Sequence, residues 1–225
     1  MKKHILLSFV PVLLFGLFFS ALSTEAAPKP RTLVKDDFND YRNGDVIGQD
    51  RWFNWLNGNT YVVQDNLVRE GKKALYGNNA GSESIITKMI NIPLADGRQS
   101  FYVRAKGRAS WGNYGSGENV RMGIFQQRWG SPSEIILAFM KDGHVAYFDP
   151  TSEEFVNFDT YDDNSWTLAE IEWRSADKTA RYRIDRGAWT NWMPFAGGLS
   201  FNSFDTVGFA TSYLGTGGVY IDTLR

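Results

Sequence analysis

The chain has 225 residues, with 24 Lys and Arg against 25 Asp and Glu, a net charge of −1, no Cys, and 15% aromatic residues. The near-neutral balance removes nucleic acid and anionic membranes from the expected partners. Without Cys there are neither disulfides nor a lipid-modified cysteine anchor, so stability must come from core burial.

Lys2 and Lys3 precede an apolar run from Ile5 to Phe19, broken by Ser8, Pro11 and Gly16, and small residues follow through Ala21–Ala27. Charge, apolar stretch and small-residue zone come in the order of a signal peptide. The run is shorter than the ~20 residues a spanning helix needs. The expectation is cleavage near Ala26 or Ala27, no transmembrane segment afterwards, and a secreted protein, extracellular or periplasmic. Loss of residues 1–26 removes Lys2, Lys3 and Glu25 and leaves 22 basic and 24 acidic residues. Residues 27–32 read as an extended lead-in, and 33–225 as one domain.

Within 33–225, short apolar runs alternate with Gly, Asn and Asp clusters, and no ten-residue stretch has a helical period. Strands are expected near Leu33–Phe38, Thr60–Val68, Ala74–Tyr76, Ser84–Ile90, Ser100–Ala105 and Asn119–Gln127. Further strands are expected near Glu134–Met140, His144–Phe148, Trp166–Arg174, Ala180–Asp185, Thr206–Ser212 and Val219–Leu224. Many short strands with turn signals between them predict an all-β, two-sheet antiparallel sandwich.

Two hairpins are readable in detail. Ile135–Met140 turns through Lys141-Asp142-Gly143 into His144–Phe148, Asp-Gly supplying the positive φ of the turn. Both faces of this hairpin are apolar, which predicts a central position with cover on both sides. In Trp166–Arg174 and Thr179–Asp185 the period is two, and a turn at 175–178 sets Glu172 opposite Arg181 and Glu170 opposite Arg183.

Val34-Lys-Asp-Asp-Phe-Asn39 with Trp52 and Trp55, the Trp166…Glu170-Ile-Glu-Trp173…Arg181-Tyr-Arg-Ile-Asp185 hairpin, Phe204–Phe209 and Val219–Arg225 occur in an order that resembles the concanavalin A-like lectin/glucanase superfamily, which includes laminin-G-like modules. The resemblance implies a jelly roll in which a sheet face often holds glycans. It also implies a structural Ca²⁺, with Asp222 as a side-chain ligand and Asp37 contributing from the first strand. Asp37 and Asp222 alone fall short of the usual 6–8 oxygen ligands, and both acids also suit a sheet edge.

The family 16 glycosidase pattern, Glu-x-Asp-x-Glu or its longer form, is broken here. Glu170 and Glu172 supply two acids, but Arg174 stands at the third position of the short form and Ser175 in the long form, while the retaining mechanism requires two carboxyls. His144 is the single His after residue 26 and has no marked partner, so neither a His-based zinc site nor a lyase base is signalled. No Gly-x-Ser-x-Gly elbow occurs. Catalysis is therefore not expected.

The binding candidates are aromatics in polar loops, which either fold down over the sandwich edge or meet a ligand. The preferred cluster is Trp111, Tyr114 and Trp129 beside Arg121 and Gln127. It predicts a non-catalytic module for a polysaccharide or other glycan, or a surface-associated module of the same fold. A polysaccharide-degrading enzyme with an atypical active site, glycoside hydrolase or lyase, and a protein-binding or envelope-structural domain are the alternatives.

Overall fold

The computed structural model describes residues 35–56, 60–81, 83–126, 134–196 and 203–225, with the backbone alone at 91–94. The expected signal peptide and lead-in lie outside these residues. Among the described residues there is no α-helix, and no helix is long and apolar enough to cross a membrane.

The strands are β1 (Gly44–Asp45), β2 (Trp52–Leu56), β3 (Tyr61–Gln64), β4 (Ala74–Gly77), β5 (Ser84–Leu94), β6 (Asp96–Lys106), β7 (Val120–Phe125) and β8 (Glu134–Phe139). They continue with β9 (His144–Asp149), β10 (Glu154–Thr160), β11 (Thr167–Arg174), β12 (Thr179–Ile184), β13 (Met193–Pro194), β14 (Phe204–Thr211) and β15 (Gly218–Asp222). Eight form one sheet in the order β1-β3-β4-β15-β6-β11-β12-β13, and seven form the other, β10-β9-β8-β7-β14-β5-β2. All neighbours within the sheets are antiparallel. This is the two-sheet antiparallel sandwich that the strand and turn pattern predicts, in the jelly-roll form that the resemblance implies.

Period two decides which side chains meet between the sheets. In β6 every second residue from Gly97 to Ala105 is buried and those between face outward. Phe101 of the eight-stranded sheet meets Phe209 of the seven-stranded sheet at 6.0 Å between ring centroids, and Tyr182 stacks on Tyr147 at 5.2 Å. Trp52, Trp173 and Phe204 fill the same layer. Buried aromatics of this size are the largest contributors to a core held by burial alone.

The 166–185 hairpin has the expected register, with Glu172 opposite Arg181 and Glu170 opposite Arg183. Arg181 Nη2 donates to Glu172 Oε2 at 2.7 Å. With both side chains partly open to solvent, a double-mutant cycle on Glu172 and Arg181 is expected to give a coupling of about 0.2–1 kcal/mol. Thermal melts of the two single mutants and the double mutant measure it.

Three expectations need correction. The 135–148 hairpin is apolar on both faces as expected, but it is not central. β9 lies next to the sheet edge, where β10 covers it. β10 is a strand absent from the expected set because a register shift between Asn157 and Asp159 breaks its alternation. β2, which carries Trp52 and Trp55, is likewise absent from the expected set, and Trp52 is a core residue. The first segment makes a single bridge, Asp36 to Leu224, instead of a strand.

Candidate functional site

The outward face of the seven-stranded sheet carries most of the described binding candidates. In β7, Val120, Met122 and Ile124 point into the main core, so Arg121, Gly123 and Phe125 point out. The same parity turns Ile136 and Ala138 of β8, Ala146 and Phe148 of β9, Ala210 of β14 and Ile85 of β5 outward. Those residues make two small apolar clusters of their own, capped by Phe148 and Phe155. Gly123 is needed here because the Phe125 ring lies flat over it, where a Cβ would sit 1.8 Å from Cζ.

Arg121 lies between Ala138 and Ala210 in the strand register. These small neighbours leave its side chain room to lie along the sheet, where it forms an ion pair with Glu83 and is 11% exposed. Burial pushes its guanidinium down to about 10, so it stays charged at neutral pH. The guanidinium also sits 4.9 Å from the centre of the Tyr114 ring, within cation–π range. Tyr114 in turn stacks on Tyr213 at 5.9 Å.

The loop that presents Tyr114 is ordered by its own hydrogen bonds. The backbone N–H and the hydroxyl of Ser116 donate to Glu118 Oε2 at 2.7 and 3.0 Å. Gly115 has φ 49, and a Cβ there would collide with the Glu118 carboxylate. The Asn119 amide donates to the carbonyls of Gly112 and Ser212 at 3.1 and 2.8 Å, tying the loop to the end of β14.

Tyr213 is held on both sides. Its N–H donates to the Gly81 carbonyl at 2.9 Å and its carbonyl accepts from Gly112 at 2.7 Å, with φ at 52. A bulky residue in the left-handed region is strained unless its surroundings impose the geometry. Here they do, and the ring remains 40% exposed. Trp55 is also 40% exposed; it lies at the end of β2, which pairs with the Glu83 end of β5. One sheet end thus combines an exposed aromatic pair, a fixed cation and a carboxylate.

The sequence candidates separate as follows. Arg121 and Tyr114 are together. Gln127 and Trp129 lie outside the described residues. Trp111 is 1% exposed and belongs to the main core, which corrects its expected role as a platform. It packs beneath Gly217, whose absent Cβ would fall 2.8 Å from the indole nitrogen. A change at Trp111 therefore acts on packing. Tyr213 and Glu83 were not among the candidates. The signal was available in part, since Tyr213 directly follows the expected Thr206–Ser212 strand and Glu83 has the outward parity of Ile85.

Glu134, at the opposite end of this face, is partly buried, with an Oε2 that has no hydrogen-bond partner among the described residues. Burial pushes its carboxyl up to about 7, and the Arg121 charge opposes the rise. Four residues of β8 separate Glu134 from Ala138, the partner of Arg121, or about 13 Å at about 3.3 Å per residue. Glu83 and Glu134 thus stand at opposite ends of the face. On the other sheet, Arg183 and Arg98 grip Glu170, and Arg181 grips Glu172. His144 is a hairpin-end residue, 43% exposed, with Nδ1 3.0 Å from an Asp142 carboxylate oxygen.

Asp222 and Asp37 do not fit the Ca²⁺ site that the resemblance implies. Asp222 is buried, and the N–H groups of Arg69 and Glu70 donate to its Oδ2 at 2.7 and 2.9 Å, with the Thr223 hydroxyl on Oδ1 at 3.0 Å. Donors converging on the carboxylate occupy the positions a cation would need. Burial still holds its carboxyl above the usual range. Asp37 accepts from the Asn39 N–H. Among the described residues no three His, Cys, Asp or Glu side chains gather as metal ligands.

No protein family profile matches the chain, and no curated protein matches it in sequence. Solved structures do. A sialidase aligns with a TM-score of 0.59 at 12% identity over 87% of this chain, which spans only 18% of the sialidase's length. A carbohydrate esterase from a Shiga toxin-encoding bacteriophage aligns at 0.57 and 15% identity over 87% of this chain and 97% of its own. A family 16 glycoside hydrolase, an endo-glucanase from Bacteroides ovatus, aligns at 0.53 and 12% identity over 86% and 99%. The shared feature is the fold, a concanavalin A-like jelly roll.

Proposed function

We propose that this chain is an exported, non-catalytic carbohydrate-binding jelly-roll module that engages glycan at the Tyr213 end of the seven-stranded sheet. The observation that carries the reading is the stacked Tyr114–Tyr213 pair beside the Arg121–Glu83 ion pair. A pyranose offers an apolar C–H face and a rim of hydroxyls. An exposed aromatic with fixed charged groups beside it matches both. Pinning Tyr213 through its backbone lowers the ordering cost of binding. The carbohydrate-related solved structures of the same fold support the ligand class, and the residue order of the first 27 positions supports export.

Tyr213→Ala is expected to weaken glycan binding by about tenfold or more, the loss of one stacked ring being worth ~1.5 kcal/mol. The melting temperature should change little, because the ring is outside the core. Affinity electrophoresis across a set of neutral polysaccharides reads the first and a thermal melt the second. Unchanged mobility of the variant on a glycan that retards the parent would sink this placement of the site.

A second reading, a polysaccharide-degrading enzyme with an atypical site, is favoured by Glu134, whose carboxyl, pushed up to about 7 by burial, is about half protonated at neutral pH and could donate a proton. Release of reducing ends, or absorbance from unsaturated products, by the parent but not by Glu134→Gln would establish it over binding alone.

A further inference from the structure

The outward face of the eight-stranded sheet carries a second, chemically different surface. Trp189 and Trp192, in the segment between β12 and β13, fold over the outward arginines of β11 and β12. Arg174 lies 4.0 Å from the Trp192 ring centre, Arg181 lies 4.7 Å from both indoles, and Arg183 lies 4.4 Å from Trp189. Arg98 on β6 reaches Trp189 at 5.2 Å. Guanidinium and indole planes thus alternate across three strands.

The acids in this array lie lower than the arginines. The Glu170 side chain is 6% exposed against 33% for Arg98, and Glu172 is 19% exposed against 28% for Arg181. Arg174 is exposed, and among the described residues it has no ion-pair partner. The glutamates hold Arg181 and Arg183 through Nε and Nη2 and Arg98 through Nη2, so they fix the guanidinium groups and do not engage Nη1. Toward β15 and β4 the face continues with Tyr220 tilted against Tyr76 at 4.6 Å, Arg69 over Tyr102 at 5.1 Å and Lys106 over Tyr76 at 5.8 Å.

Arg69, Arg104 and Lys106 join the four arginines to make seven cations on this face, against Asp96, Glu170, Glu172, Asp185 and Asp222. The excess is +2 on a chain whose net charge is −1. Five strands, β4 to β12, span about 19 Å at about 4.8 Å per spacing. We infer that this face binds an acidic polysaccharide, its carboxylates paired with guanidinium edges and its sugar faces on the exposed rings. Arginine suits the task because its planar fork donates two parallel N–H bonds to a carboxylate. Stacking and the buried glutamates fix the forks in advance, so little side-chain entropy is lost on binding.

The surface lies on the opposite side of the sandwich from Tyr213, so the two sites fail separately. The test is retention on immobilised polygalacturonate and alginate, with fully methyl-esterified pectin as the uncharged control. Retention by the free acids, release by added NaCl and no retention by the ester are expected. Arg104→Gln/Lys106→Gln/Arg174→Gln changes three cations at the outer positions of the face. It should keep the parent's melting temperature and weaken binding to the acid polymers about tenfold. Tyr213→Ala should bind them like the parent. Absence of retention on both acid polymers, equal retention on the ester, or undiminished binding by the triple variant would each overturn the inference.

Discussion

Asp36→Ala is expected to destabilise the protein by about 3–5 kcal/mol, the range for breaking a buried, hydrogen-bonded ion pair. Two buried groups, Lys88 and Trp52, and the half-buried Tyr41 converge on one oxygen of this carboxylate. Lys88 Nζ, the Tyr41 hydroxyl and Trp52 Nε1 donate to Oδ2 at 2.7, 2.6 and 3.0 Å, and the Phe38 N–H donates to Oδ1 at 3.0 Å. The Lys88 and Asp36 side chains are 4% and 3% exposed. Truncation leaves the buried indole and the Phe38 amide without this acceptor, each at about 1–3 kcal/mol before relaxation, while the Tyr41 hydroxyl keeps Asp50 at 3.2 Å.

The cluster also has a mechanical role. The Asp36 backbone exchanges hydrogen bonds with Leu224 beside β15, while its side chain holds β5 through Lys88 and β2 through Trp52. Asp36 thereby staples the two sheets at one edge. Asp50 is the control. It accepts from Lys88 at 2.6 Å, and that bond holds its carboxyl below the usual range, but its side chain is 50% exposed. Solvent screening limits the loss in Asp50→Ala to about 1 kcal/mol or less. Chemical denaturation of the two variants checks the ranking, and equal losses would mean that the buried network is not what Asp36 contributes.

This cluster was readable from parity and was passed over. Ile86 and Ile90 define the inward face of β5, and Lys88 shares their phase. A lysine in a core phase demands an acid, and Asp36 and Asp50 were available. The 166–185 hairpin was legible in full because alternation, turn length and opposite charges all agree there. Trp111 was misread because its neighbours Gly112, Asn113 and Tyr114 are polar or small, whereas its burial is imposed by Gly217, distant in sequence. The arginine–tryptophan array was half visible. Its arginines were paired with Glu170 and Glu172 from the register, but the segment that brings Trp189 and Trp192 back over them has no sequence period to announce it. The fold of the domain could be read because it repeats a local rule. The surfaces could not, because they depend on which loops return to which strands.

Glu134 sets the second large expectation, a loss of stability as pH rises. Burial puts its folded carboxyl at about 7, against 4.5 for the ordinary group. Below pH 4.5 the carboxyl is protonated in both folded and unfolded chains, and the neutral form lies in the site at no electrostatic cost. Between 4.5 and 7 the unfolded chain releases this proton while the folded chain retains it, so unfolding gains with each step of pH. Above 7 both states are ionised and the dependence from this group ends. At about 1.4 kcal/mol per pH step the loss across the window is on the order of 3 kcal/mol. Glu134→Gln keeps the shape and removes the titration. It should match the parent near pH 4, exceed it at pH 8, and flatten the parent's decline between them. Denaturant midpoints at several pH values for both proteins make the comparison. Parallel pH profiles would show that Glu134 ionises in the folded protein as readily as in water, and that the apolar cover on the outward face does not close over it.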